Sequence, residues 1–180
     1  MKKLLSLLMC IPALLGLSSC TGYKDSRLFG EIINSGDPFY TVVELGMYIG
    51  KKCEYGDKMD RLSDAERVFY VAYTLEAEVN NGGFSQFFFN SSGEYSNEIV
   101  DAFTAIGAHK TAEICKRAVE SFGVPIPTDR QERFDMLEVY ETEEVSVILS
   151  QCDGEFYSLD EDLCRLEYDY IMAHRDEFTP

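Results

Sequence analysis

The stretch from Ser63 to Gly83 constrains the fold more than any other. Ser63-Asp64-Ala65-Glu66 has the form of a capping box, in which serine hydroxyl and glutamate carboxylate satisfy each other's free backbone amides at a helix start. Behind it Val68, Val71, Ala72, Leu75 and Val79 recur at helical spacing and define one apolar face. Asn80-Asn81-Gly82-Gly83 then ends the helix, because asparagine and glycine tolerate the left-handed backbone of a C-cap. A one-sided helix of this length has to be covered by partners, and the rest of the chain supplies them.

Asp37-Pro38 opens a helix with an acidic cap and proline in the first turn; Phe39, Val42, Val43, Met47 and Ile49 carry it to about Lys51, weakened by Gly46. Cys53 to Asp60 reads as a charged loop. Phe84 to Asn90 is a short aromatic helix, and Ile99, Val100, Phe103 and Ile106 mark another, ended at Gly107. Ala112, Cys115, Val119 and Phe122 share a face in the next. Thr128 with Gln131 has the form of a second capping box, ahead of Phe134, Leu137 and Tyr140. Val145 to Leu149 reads as a strand or as a helix end. Leu159, Leu163, Leu166 and Tyr170, continued by His174, give the last stripe. The fold class is all-α, an irregular bundle of six or seven helices, with the domain spanning residues 37–180.

The N-terminus reads as an address. Met1-Lys2-Lys3 precedes an apolar run from Leu4 to Leu17, and Leu17-Ser18-Ser19-Cys20 resembles the bacterial lipobox. Residues 1–19 are thus expected to be a lipoprotein signal peptide, removed as Cys20 is acylated. Residues 20–36 then form a tether to the lipid membrane. No aspartate follows Cys20, which favours the outer membrane over the inner within the cell envelope.

Charge narrows the partner. The formal net charge is −16, which excludes the basic footprint of a nucleic-acid binder. Residues 129–180 alone hold 16 acids and 4 bases, so a basic protein is the expected partner. Two histidines and no tryptophan leave little material for imidazole chemistry. No nucleophile elbow, zinc-protease helix or phosphate-binding loop occurs, and the acidic runs 153–155 and 160–162 lack the spacing of an EF-hand. Neither a catalytic site nor a metal or other cofactor is predicted. Of the cysteines left after maturation, Cys115 falls on an apolar helix face as a core thiol. Cys152 and Cys164 bracket a short acidic loop that a disulfide between them would close.

The densest polar cluster is Asn80, Asn81, Gly82, Gly83, Phe84, Gln86 and Asn90, preceded by Glu76 and Glu78. The glycines allow a sharp turn, the asparagines suit helix ends, and the phenylalanines belong to the core. Asn80, Asn81 and Gln86 could also floor a binding pocket. Glu78, Asn81-Gly82-Gly83-Phe84, Gln86, Asn90, Ile106-Gly107-Ala108 and the run from Ala112 to Ala118 resemble the helical core of a bacterial family named after a DNA-mimic protein. The likeness is close from Leu62 to Val119 and looser to Phe178. It implies an all-helical fold and, for the named member, an acidic surface that occupies the DNA-binding face of a transcription factor. The expected function is a membrane-anchored, non-enzymatic acidic interaction module. A DNA mimic is one alternative, and a hydrolase using Glu76 or Glu78 is another.

Overall fold

A computed structural model describes residues 25–180; the expected signal peptide, Cys20 and the start of the expected tether lie outside the described residues. Among those described, eight α-helices and several short 3-10 turns make up all the regular structure, and no strand occurs. The all-α class is as expected, with one or two helices more than anticipated.

The first extra helix, α1, is Ser26–Ile33, capped by Asp25. It occupies part of the expected tether and buries Phe29, Ile32 and Ile33, with the Phe29 ring 5.5 Å from that of Tyr48. Those three residues repeat at helical spacing, and their burial outweighs the solubility of the polar residues around them. The second helix, α2, is Pro38–Lys52, opened by Asp37 and proline as expected. Gly46 does not weaken it idly: a Cβ there would collide with the Tyr73 ring, so the glycine lets α2 lie close on α3.

Helix α3, Asp64–Phe89, is the central rod, and its predicted Ser63–Glu66 box is formed in both directions. Helices α4 (Ile99–Ala105), α5 (His109–Glu120), α6 (Arg130–Tyr140), α7 (Glu143–Ser158) and α8 (Leu163–Ala173) follow. Helices α2 and α8 pack on each other and on α3; α4 and α7 pack on α3 from elsewhere, and α5 lies across both of them. The stretch 145–149, ambiguous in sequence, is helical within α7. The cap of α6 is Asp129, whose carboxylate accepts from the amides of Gln131 and Glu132 at 2.9 and 3.0 Å, and not Thr128. A carboxylate caps as well as a hydroxyl and adds a favourable charge at the positive helix end.

Phe69, Phe84, Phe87, Phe88 and Phe103 are fully buried, each contributing roughly 1.5–3 kcal/mol. Phe88 meets Phe122 edge-on at 5.1 Å between ring centres. The chain end is sewn to the core by Glu66. Its carboxylate accepts both bonds from the buried Lys52 ammonium, at 2.8 and 3.0 Å, and also the Ser63 and Thr179 amides. Lys52 donates further to the Thr179 carbonyl at 2.8 Å, so every formal charge in the cluster is answered.

Candidate functional site

The Asn-Asn-Gly-Gly segment bends α3 without ending it. Gly83 takes φ +82°, a conformation open to glycine, and the helix resumes at once through Phe84. The bend frees backbone groups, and α7 satisfies them. The Tyr157 hydroxyl donates to the Val79 carbonyl at 2.6 Å, and Asp153 accepts from the Phe84 amide at 2.8 Å. A Cβ on Gly83 would stand 2.5 Å from an Asp153 oxygen, which fixes glycine there. Burial raises the Asp153 carboxyl's pKa, against the lowering effect of the Phe84 bond.

The conspicuous polar residues divide at this bend. Asn80 and Asn81 are exposed on its outside, where no side-chain hydrogen bond engages either among the described residues. Gln86 and Asn90 turn inward and donate to one Glu78 oxygen at 2.8 and 2.9 Å, while Ser92 donates to the other at 3.1 Å. Glu78 thus clasps the two halves of the bent helix together. The expected grouping of Asn80 and Asn81 with Gln86 as a pocket floor is replaced by Gln86, Asn90 and Ser92 around Glu78. The residue following this clasp, Gly93, closes over the fully buried Arg133. That guanidinium donates to the carbonyls of Phe88, Asn90, Pro127 and Thr128 at 2.9 to 3.2 Å. Arg133 is therefore a cap for the end of α3, and desolvation lowers its pKa.

Glu76, two residues from Glu78, faces elsewhere. It lines a cavity of about 470 Å³ with Asn80, Phe156, Tyr157, Glu161, Asp162, Leu163 and Cys164, between the middle of α3 and the α7–α8 junction. Behind the wall lies Glu167 of α8, fully buried, with neither carboxyl oxygen hydrogen-bonded. Burial and Asp162 push the Glu76 carboxyl up to about 7, and burial with Glu76 beside it raises Glu167 well above the carboxylate range. Glu161 is already used: it receives the Thr111 hydroxyl at 2.6 Å and amide at 3.0 Å, capping α5, whose own N-cap residue is Ala108.

Among the described residues Cys53, Cys115, Cys152 and Cys164 are free thiols, so the bond expected between Cys152 and Cys164 is not formed. Cys152 is buried on α7 within electrostatic reach of Cys115, and burial raises both of their pKa values. Cys164 lines the acidic cavity, where burial and Glu167 push it up to about 11. Helix α7 directs one sulfur toward α5, while α8 holds the other over α3.

The outer surface carries a further feature. Asp129, Glu132, Asp135, Glu138, Glu141, Glu143 and Glu144 are all exposed along α6 and the start of α7, and among the described residues none forms an ion pair with a lysine or arginine. Of the two bases of α6, Arg130 lies over the Phe134 ring at 5.2 Å, and Arg133 is buried with its guanidinium on backbone carbonyls. Val139, Tyr140 and Val147 stand exposed among these carboxylates. No described helix is long and apolar enough to cross a membrane.

A family model described as DMP19-like protein matches residues 60–174, well past the region where the sequence likeness is closest. No curated protein and no solved structure matches the chain. The match covers most of the chain from α3 to α8, and the chain belongs to the DMP19-like family, named after a DNA-mimic protein.

Proposed function

We propose that this chain is a non-enzymatic acidic interaction module that covers the basic, DNA-binding face of a partner protein. The observation that carries the reading is the unpaired carboxylate ribbon of α6 and the head of α7. Glu132, Asp135 and Glu138 of α6 and Glu141 at its C-cap fall every third residue, so they advance about 4.5 Å a step along the axis while each turns about 60° round it, an oblique acidic band. One strand of DNA presents a charge about every 3.4 Å. A basic groove shaped for phosphates therefore meets a comparable charge density, and steering by that field speeds encounter. Val139, Tyr140 and Val147 add apolar contact of the kind that anchors a protein interface. Membership of a DNA-mimic family supports the same assignment.

In this reading Cys20 carries the acyl anchor, and the module works in the cell envelope, on the outer membrane. Its partner is then a basic protein on the same side of the bilayer. Mass spectrometry of the native product tests the anchor: a diacylglycerol thioether on Cys20 is expected. A chain beginning at Met1 with a free Cys20 thiol would remove the envelope from the account and leave the ribbon standing.

The ribbon is tested by the variant Glu132→Gln, Asp135→Asn, Glu138→Gln, Glu141→Gln. Wild-type protein cross-linked in cells should capture a basic nucleic-acid-binding protein. The neutralised variant should bind that protein at least about tenfold more weakly, with a shallower dependence on salt. Equal capture by both forms would refute the proposal.

A further inference from the structure

The uncovered side of α2 is apolar, where the solvent side of a helix is ordinarily polar. The helix buries Val42, Leu45 and Ile49 against its neighbours. Phe39, Val43 and Met47, spaced by four, run along the side left over, with Tyr40 beside them. Phe39 is 60% exposed, and Tyr40 and Met47 are 41% exposed. Tyr55 lengthens this stripe. Its ring, on a residue 70% exposed, rests against Gly50, three residues beyond Met47, at 3.4 Å from where a Cβ would stand. To bring it there the backbone takes φ +51° at Glu54 and +56° at Tyr55, two consecutive left-handed residues that are not glycine. Strain of this kind is held in place by its surroundings and gathers at sites of function. Glu44 and Lys51 are the formal charges on this side of α2, in contrast to the run of carboxylates on the ribbon.

The course of the chain points to what covers this side. Phe29 of α1 packs on Tyr48, and the Thr41 hydroxyl donates to the Ile32 carbonyl at 3.3 Å. Helices α1 and α2 therefore run antiparallel, and the start of α1 lies beside the end of α2. Five peptide steps separate Cys20 from Asp25, the cap of α1, a span of at most about 18 Å. With Cys20 acylated, the end of α2 that carries Met47, Lys51 and Tyr55 is held close to the membrane. We infer that the apolar side of α2 lies on the lipid bilayer, with Phe39, Val43, Met47 and Tyr55 at the boundary of acyl chains and headgroups and the Lys51 ammonium among the phosphates. The inference rests on the acyl anchor proposed for Cys20 and adds to it a fixed orientation of the domain. Helix α2 is joined to the first half of α3, by Lys52 on Glu66 and by Gly46 against Tyr73, whereas α6 is joined to its end, by Arg133 on Phe88. The ribbon is thus carried at the other end of α3 from the docked side.

The chain contains no tryptophan, so one introduced on this side reports its own surroundings. The acylated chain carrying Phe39→Trp or Met47→Trp is reconstituted into vesicles of phosphatidylethanolamine and phosphatidylglycerol. Emission should shift to the blue and be quenched severalfold by bromine carried on the acyl chains. Emission from Val147→Trp, at the ribbon, should be unmoved. Adding Met47→Asp to Phe39→Trp should return the emission to the red and abolish the quenching, since a charge is disfavoured at an apolar boundary; helical circular dichroism, unchanged at this exposed position, shows that the fold is kept. Anchor and docking are told apart by reading the same reporters in residues 20–180 held to nickel-chelating lipid by a histidine tag ahead of residue 20. Blue-shifted, quenched emission in that form, with no lipid found on the native Cys20, would remove the anchor and keep the docking side. Unquenched emission from both reporters under both tethers would overturn the inference. So would blue-shifted emission in solution with a dimer's mass by light scattering, which would assign this side to a second copy of the chain.

Discussion

Two buried carboxylate sites flank the same helix and are treated in opposite ways. At the start of α3, Glu66 accepts from Lys52, the Ser63 amide and the Thr179 amide, and the ammonium it faces reaches the chain terminus as well. Ten residues on, Glu76 meets Glu167, which has no hydrogen bond at all. The first site is complete within the chain and belongs to its architecture. The second has neither a hydrogen bond nor an answering cation among the described residues. Between them in character stands Glu78, half-buried and held by three neutral donors, which stabilises the bend without any counter-charge. The three carboxylates are thus treated differently: Glu66 is neutralised, Glu78 is hydrogen-bonded, and Glu167 is left without a partner.

The contrast is broken most severely by removing the cation of the first site. Lys52→Met should cost about 3–5 kcal/mol in chemical denaturation, since Glu66 would stay buried and uncompensated; a loss near zero would erase the distinction between the sites. Glu78→Ala should cost about 2 kcal/mol by leaving Gln86, Asn90 and Ser92 without their common acceptor. Opening of the bend should then appear as faster amide exchange at Phe84.

The second site should show the opposite sign. Glu167→Leu is expected to raise stability by about 1 kcal/mol, because an apolar side chain replaces an unanswered carboxyl. Its pH signature follows from the direction of the shifts. Glu76 has a folded-state pKa of about 7 against an ordinary 4.5, so the unfolded chain releases the proton first. Wild-type stability should then fall as pH rises between those values, and Glu76→Gln should flatten that slope. The smallest effect belongs to the surface: amide substitutions of Glu132, Asp135 and Glu138 should change stability by no more than about 0.5 kcal/mol.

Local chemistry was readable in the sequence wherever both partners lie within a few residues. The Ser63–Glu66 box, the Asp37-Pro38 opening and the turn at Gly82-Gly83 are set by neighbours along the chain. Gln86 and Asn90 could be singled out for the same reason, their types and spacing around a glycine turn. What they hold could not: Asp153 reaches Phe84 across 69 positions, and Arg133 reaches Phe88 across 45. Glu167 escaped because an acid is read as a solvent-facing residue. In fact it and Ile171 are the buried residues of α8, whereas Leu163, Leu166 and Tyr170 are half-buried. Its position three after Cys164 and four before Ile171 was the available signal, a charged residue in step with an apolar face. The tether was misread at Phe29, Ile32 and Ile33, where a helix of only two turns gave too short a repeat to stand out among polar neighbours.

The central claim is that the ribbon stands where DNA would stand on its partner. Competition between the full chain and duplex DNA for the captured basic protein measures this directly. The account predicts mutual exclusion, with DNA displaced by wild-type protein and retained in the presence of the ribbon-neutralised variant. A ternary complex in which DNA and the wild-type chain bind the partner together would contradict it.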